Sequence, residues 1–167
     1  MKPHVLAFAL VVLAMPAHAD KAKVAIFDFE LIDTSLEGEL AGPKSAEQTR
    51  LAGLAVVLRQ RLGASDRYAV VDIAPVAKAA HDQNLQACGQ CDAKMAREIG
   101  ADLAMTGTVQ KVSNLILNIN IYIRDARSGA VVDAMSADIR GNTDESWSHG
   151  LNWLVRNKLL APPEAPK

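Results

Sequence analysis

Residues 115–124 constrain the fold of this chain more than any other part of its sequence. Every second residue of this stretch is aliphatic, namely Leu115, Leu117, Ile119, Ile121 and Ile123. The residues between them are mostly polar: Ile116, Asn118, Asn120, Tyr122 and Arg124. A period of two places one row on each face of a β-sheet, and β-branched isoleucine favours a pleated strand over a helix. The stretch therefore predicts the middle strand of an antiparallel meander with one buried face.

The rest of the chain supplies further strands and helices around this meander. The predicted elements, in chain order, are strand 23–30, helix 45–61, strand 67–72, helices 76–83 and 92–99, strands 103–109, 115–124 and 131–140, and a final helix from residue 142. The order β-α-β-α-α-β-β-β-α predicts an α+β fold, in which a mixed sheet carries its helices mainly on one face. The polar, glycine-containing segment 31–43 predicts a long loop.

Two sequence patterns predict where helices begin. Ser45 is followed three residues later by Gln48, and Asn142 is followed three residues later by Glu145. Both pairs have the spacing of a capping box, in which the first side chain caps the helix. We therefore expect N-caps at Ser45 and Asn142.

The N-terminal segment indicates export. Residues 1–19 combine one lysine, an apolar run too short to span a bilayer, and a small-residue cleavage site that ends at Ala19. This pattern predicts a signal peptide cleaved after Ala19, a periplasmic location, and no membrane insertion after cleavage. The remainder predicts a single domain over residues 20–160 and a disordered, proline-rich tail over 161–167.

Charge disfavours nucleic acid as a ligand. The whole sequence has 18 basic and 19 acidic residues, so removal of Lys2 with the signal leaves 17 against 19, a net charge of −2. A nucleic-acid-binding protein is expected to carry a basic patch, and no basic stripe with interleaved aromatic residues occurs here. We also expect no cofactor, since no phosphate-binding glycine loop is present.

The order of motifs resembles known exported proteins. VAIFDFE, a long helix, RYAVVD, a cysteine-containing helix lead-in and GADLAMTGTV resemble the TolB N-terminal and curli-secretion-lipoprotein type of domain. The segments KVSNLILNINIYIRDARSG and IRGNTDESWSHGLNWLVRN extend a closer resemblance, to an uncharacterised family of small exported bacterial proteins. The resemblance implies a scaffold of envelope assemblies and supplies no catalytic residues.

Cys88 and Cys91 form the most distinct local motif, CGQC, directly before a predicted helix. In an oxidising compartment the first hypothesis is a structural disulfide. The second is a redox-active thiol pair, since a helix N-terminus lowers the pKa of a thiol. The third is a copper or zinc site, with His81 and Met95 as further ligands.

The sequence offers little for an enzyme. Asp28 and Glu30 flank Phe29 on one strand, and Asp33 follows, so paired carboxylates at a strand end are one candidate site. Carboxylates that are solvated or paired with basic residues are the simpler interpretation. No nucleophile–histidine–acid order and no HExxH motif is present. We predict that the protein is not an enzyme.

Two surfaces are candidates for binding a partner protein of the envelope. One is the polar row of the meander, Asn118, Asn120, Tyr122 and Arg124, because asparagine is a poor strand former. The other is the final helix with Trp147 and Trp153, which cannot both face the core from one helix. The leading hypothesis is a periplasmic accessory protein that binds an envelope partner, and the alternative is a thiol-redox or metal-handling protein.

Overall fold

The computed structural model describes residues 20–162. Its strands are β1 (Ala22–Asp33), β2 (Tyr68–Val71), β3 (Leu103–Ser113), β4 (Ile116–Asp125) and β5 (Val131–Ile139). Its helices are α1 (Leu36–Ala41), α2 (Ser45–Gly63), α3 (Ala77–His81), α4 (Cys91–Glu98) and α5 (Asp144–Leu154), which continues into a π-helical turn, Val155–Leu159.

All five strands form one mixed sheet in the order β2-β1-β3-β4-β5. The strand β1 pairs in parallel with both β2 and β3, whereas β3, β4 and β5 form an antiparallel meander. This confirms the predicted α+β class and the C-terminal meander.

The larger core lies between one face of the sheet and the two long helices. The aliphatic row of β4 is buried from Leu117 to Ile123, while Leu115 lies outside the strand and is exposed. From α2 the core receives Leu51, Leu54, Leu58 and Leu62, and from α5 it receives Trp147, Leu151 and Leu154. Two glycines allow close packing here: a Cβ on Gly107 would lie 2.3 Å from the Phe29 ring, and one on Gly150 would lie 2.4 Å from Ile139.

A smaller core covers part of the opposite face. It contains Ala25 and Phe27 of β1 and Ala104 of β3, packed by residues such as Ala80 of α3 and Met95 of α4. A register shift between Ile26 and Phe29 interrupts the β1–β3 pairing. The short helices thus cover β1 and β3, and the opposite face of β4 stays partly open.

The structure adds a helix where the sequence predicted a loop. The strand β1 continues to Asp33, and α1 follows within the segment that was expected to be irregular. The Ser35 hydroxyl accepts a hydrogen bond from the Gly38 amide at 3.1 Å, and Glu37 and Glu39 lie in the first turn. A capped first turn with acidic residues stabilises even a short helix, which explains the difference.

Both predicted capping boxes are wrong. The residue that precedes α2 is Lys44, without a side-chain cap, and Ser45 is already helical. The N-cap of α5 is Thr143, whose hydroxyl accepts from the Ser146 amide at 3.2 Å. Asn142 is displaced from the capping position because its amide group bonds elsewhere, as described below.

The predicted signal peptide, residues 1–19, lies outside the described residues, as do residues 163–167 of the predicted tail. Within the part that the structure describes, no helix combines the length and apolarity that a membrane span requires.

Candidate functional site

A buried lysine lies where the carboxyl ends of β1 and β3 meet. The Lys111 side chain is fully buried, and its Nζ contacts three carboxylates. The distances are 2.7 Å to Glu47 Oε1, 3.0 Å to Asp33 Oδ2 and 3.4 Å to Glu37 Oε2. Ligand sites of open α/β sheets favour this end of parallel strands, so the position is a natural place to look for function.

Two asparagines extend this cluster. Asn142 Nδ2 donates to Glu47 Oε1 at 2.6 Å and to Asn114 Oδ1 at 3.0 Å. Asn114 Nδ2 in turn donates to Glu37 Oε2 at 2.9 Å, and Trp147 Nε1 donates to Asn142 Oδ1 at 3.1 Å. We call Asp33, Glu37, Glu47, Lys111, Asn114 and Asn142 the lysine network. It joins α1, α2, the β3–β4 turn and the start of α5.

The network shifts the pKa of three of its members. Burial alone would lower the pKa of Lys111, but the hydrogen bonds that it donates to Glu47 and Asp33 raise it above its ordinary value. The pKa of Glu37 falls to about 2, chiefly through its hydrogen bond with Lys44 and then through Asn114. Burial raises the pKa of Asp33, yet its hydrogen bonds from Ser35 and Lys111 outweigh burial and lower it overall.

This chemistry favours architecture over catalysis. A lysine needs a neutral, accessible amine to act as a base or nucleophile, and Lys111 is a buried ammonium surrounded by carboxylates. Glu47 Oε2 is also buried and has no hydrogen-bond partner among residues 20–162. The lysine network therefore fixes the position of the elements that it joins.

Exposed apolar side chains surround this end of the sheet. They come from β1, α1, the end of β3, the β3–β4 turn and the start of β4, and we call them the apolar rim: Ile32, Leu36, Leu40, Val112, Leu115 and Ile116. Leu36, Leu115 and Leu40 are the most exposed, at 69%, 72% and 78%. The contact of Glu37 with Asn114 holds α1 beside the turn, so the rim is organised by the lysine network.

A groove of about 450 Å³ lies between α2 and α5. Its floor is apolar, with Leu54, Trp147 and Leu151, and its edge is polar, with Arg50 and Asp144. Arg50 Nε lies 2.5 Å from Asp144 Oδ1, and its guanidinium lies 5.8 Å from the centre of the Trp147 ring. We call this feature the α2–α5 groove.

The two cysteines lie together at the start of α4. Cys88 and Cys91 are at disulfide distance, with a Cα–Cα separation of 5.6 Å. Met95 is buried in the smaller core, whereas His81 is exposed at the end of α3. No group of three or more histidine, cysteine, aspartate or glutamate side chains within residues 20–162 is arranged to hold a metal ion.

The carboxylates of β1 bond to different partners. Asp28 Oδ1 contacts Arg59 Nη2 at 2.6 Å, and Glu30 Oε1 accepts from the Leu85 amide at 2.9 Å. Asp33 joins the lysine network instead. The three carboxylates therefore have three different partners and do not form one acid–base site.

The polar row of β4 is half-buried and partly bonded within the sheet. Asn118 donates to Asp138 at 2.7 Å and Asn120 to Thr108 at 3.3 Å, while Tyr122 lies between Thr106 and Ala134 in the register. Cross-strand pairs of this kind satisfy the amide groups that the sequence left unexplained.

The remaining candidates from the sequence differ in accessibility. Arg124 Nε lies 3.2 Å from the buried Asp92 carboxylate. Trp147 is 1% exposed and Trp153 is 39% exposed. The Trp147 indole is packed in the core with its Nε1 bonded to Asn142, and Trp153 is the more accessible tryptophan of α5.

Sequence analysis missed the lysine network, although the sequence carried two signals for it. The period of two that buries Met105 and Val109 also points Lys111 into the core, once β3 is extended beyond residue 109. The helical stripe that begins at Leu51 contains Glu47 one turn earlier. A lysine and a glutamate at core positions of neighbouring elements predict a buried ion pair.

Three solved structures share the fold. Lipoprotein GNA1162 from Neisseria meningitidis is 18% identical, with a TM-score of 0.53 and coverage of 85% of this chain and 99% of that one. The LpoB C-terminal domain from Salmonella enterica is 12% identical, with a TM-score of 0.51 and coverage of 75% and 87%. The PelC dodecamer from Paraburkholderia phytofirmans is 17% identical, with a TM-score of 0.50 and coverage of 86% and 93%.

At these identities the likeness shows the fold alone, and it indicates no catalytic family. No curated protein matches the sequence. A profile of one family, named DUF3280 and described as "Protein of unknown function (DUF2380)", matches residues 22–159. The match spans the sheet, all five helices and the lysine network, so this chain belongs to that family of proteins of unknown function.

Proposed function

We propose that this protein is a non-enzymatic interaction protein of the bacterial envelope, and that it binds a partner protein through the apolar rim. The observation that carries the proposal is the rim itself. Six large apolar side chains are exposed at one end of the sheet, beside the lysine network. Gathered apolar side chains on a water-exposed surface mark interaction sites.

The charges beside the rim favour a protein over a lipid surface. Glu37 and Glu39 lie in α1 among the rim leucines, and the two lysines that contact Glu37, Lys44 and Lys111, are both paired with carboxylates. Anionic headgroups attract basic segments and repel acidic ones. A partner protein with an apolar centre and basic or hydrogen-bond-donating residues around it is complementary to this surface.

Export and the comparisons support an envelope location. The segment 1–19 has the pattern of a signal peptide that is cleaved after Ala19, which would deliver the mature protein to the periplasm. One similar structure is by its name a lipoprotein, and the motif order resembles TolB-type and curli-secretion-type domains. The partly open row Asn118, Asn120 and Tyr122, with Trp153 of α5, offers a second contact surface.

Site-specific photo-crosslinking in the native bacterium tests this function. A photoreactive residue at position 40 or 115 should join one envelope protein, and the same residue at exposed position 94 on α4 should not. The double change Leu36→Glu with Leu40→Glu should abolish the crosslink from position 115. Mass spectrometry of the recovered protein should show an N-terminus at Asp20. Recovery from the cytoplasm, or crosslinks that are equal at all three positions, would refute the proposal.

The second candidate function rests on the adjacent cysteines. If Cys88 and Cys91 handle thiols or metal, the double change to serine must abolish redox activity or copper and zinc uptake. If they form a structural disulfide, the change should leave crosslinking intact. It should lower the free energy of unfolding by about 2 kcal/mol, because the unfolded chain regains the conformational entropy of the short loop that the disulfide closes. Native mass spectrometry with and without added copper or zinc distinguishes the two.

A further inference from the structure

We infer that one partner of the apolar rim is a second copy of this chain, with α1 of one copy seated in the α2–α5 groove of another. This inference rests on the proposed function, because it uses the same rim. It follows from a match between two features of one molecule: a short apolar helix that is not covered, and an apolar groove that is not filled.

The helix α1 presents one complete face to solvent. Leu36, Glu39 and Leu40 are spaced at i, i+3 and i+4, so they share that face, while Glu37 points the other way toward Lys111 and Asn114. No residue of α1 is buried. The helix is therefore attached to its own domain by polar contacts, and its apolar side is free to dock elsewhere.

The α2–α5 groove has the shape and chemistry to receive such a face. Its volume of about 450 Å³ lies in the range of binding pockets, and Leu54, Trp147 and Leu151 supply an apolar floor. At the middle of its α2 wall lies Gly53, where an added Cβ would meet nothing within 4 Å. Two leucines one helical turn apart are the side chains that a helix typically inserts into an apolar groove.

The polar groups also correspond. Glu39 is exposed and forms no ion pair within the described part of the chain. Arg50 at the groove edge uses Nε for Asp144 and Nη1 for Asn142, which leaves Nη2 without a bond to residues 20–162. A carboxylate beside the docked leucines would complete the guanidinium fork of Arg50.

The docking of α1 is assigned to the groove of a second copy. Glu37 ties α1 to the lysine network of its own domain, so Leu36 and Leu40 point away from that domain. Because α1 and the α2–α5 groove are different surfaces of one molecule, a contact between them links copies head to tail, either into closed rings or into open filaments. The self-association then depends on α1 and on the groove equally.

Complementation between two variants tests this inference on the mature chain, residues 20–167. Leu36→Glu with Leu40→Glu places charges on the apolar face of α1, and Gly53→Phe places a large side chain in the groove at a position where a Cβ has no neighbour within 4 Å. Native mass spectrometry and light scattering should show wild-type assemblies of at least twice the monomer mass. Each variant alone should be monomeric, with self-affinity lowered by about tenfold or more. An equimolar mixture should form a 1:1 heterodimer, because each variant retains the surface that the other lacks.

A matched control and two contrary results complete the test. Val132→Glu, at an exposed position of β5, should leave assembly unchanged, and circular dichroism should show all variants folded. A monomeric wild type, or a mixture that stays monomeric, would overturn the inference. If crosslinks from positions 40 and 115 to another envelope protein persist in that case, the proposed function survives. If the wild type is monomeric and these crosslinks are also absent, the proposed function is refuted as well.

Discussion

Replacing Lys111 by methionine tests directly how the lysine network stabilises the fold. The substitution removes the ammonium from a fully buried position and leaves Glu47 with an uncompensated buried charge. Removal of one partner from a buried ion pair destabilises proteins by about 3–5 kcal/mol. Since domains of this size are stable by about 5–15 kcal/mol, the loss should be a large fraction of the total.

Urea denaturation followed by circular dichroism measures this loss. With a slope near 2 kcal/mol per molar urea, the midpoint of Lys111→Met should fall by about 2 M. Adding Glu47→Gln removes the orphaned charge and keeps an acceptor for Asn142, so the double variant should recover at least half of the loss. Lys94→Met, at an exposed position of α4, should change stability by no more than about 0.5 kcal/mol.

A free energy of unfolding of Lys111→Met within about 1 kcal/mol of the wild-type value would contradict this prediction, because loss of one partner of a buried ion pair costs more than that. A double variant that is no more stable than Lys111→Met would contradict it as well. In that case the loss would come from packing of the lysine stem rather than from charge.

Three further predictions concern the core, acid sensitivity and a helix start. Gly107→Ala should destabilise the protein by about 1–3 kcal/mol because its Cβ meets the buried Phe29 ring, whereas Gly53→Ala should stabilise it by up to about 1 kcal/mol in thermal or urea unfolding. Because the pKa of Glu37 is lowered in the folded state, this residue contributes stability that is present above about pH 4.5 and is lost as the pH falls toward 2. In Glu37→Gln the free energy of unfolding should therefore fall less steeply with pH in this window. An unchanged slope would refute this prediction. Thr143→Ala should lower stability by about 1 kcal/mol, measured by the same denaturation, and no loss would mean that its hydroxyl does not cap α5.

The sequence predicted the regular parts of this fold because their side chains alternate. The row from Leu117 to Ile123 is buried as its period of two requires, and the α2 stripe from Leu51 to Leu62 faces the sheet. In the turn between β4 and β5, Gly129 has a φ of +72°, which suits glycine.

What the sequence did not predict depends on contacts between distant residues. Lys111 lay beyond the predicted strand 103–109 and was not expected in the core, because lysine is usually exposed. Its buried ammonium is stabilised by the carboxylates of α1, α2 and β1. Asn142 is a residue type common at helix N-caps and has the capping-box spacing, yet its side-chain amide donates to Glu47 and Asn114 instead. Partners this far apart in the sequence hid the network: Glu47 is 64 positions from Lys111 and 95 from Asn142.

The interior position of β1 in the sheet has a consequence for the order in which this chain folds. β1 precedes the other strands in the chain, yet it pairs on one side with β3, and the Lys23 amide donates to Asp102 across a separation of 79 residues. Such long-range parallel pairing requires a large loop to close before it gains any stability, which slows folding. Val24 and Ile26 of β1 pair with Leu103 and Met105 of β3. We therefore expect this half of the sheet to form only after residues 103–113 have been synthesised, and a nascent chain that ends before them lacks the strand with which β1 pairs.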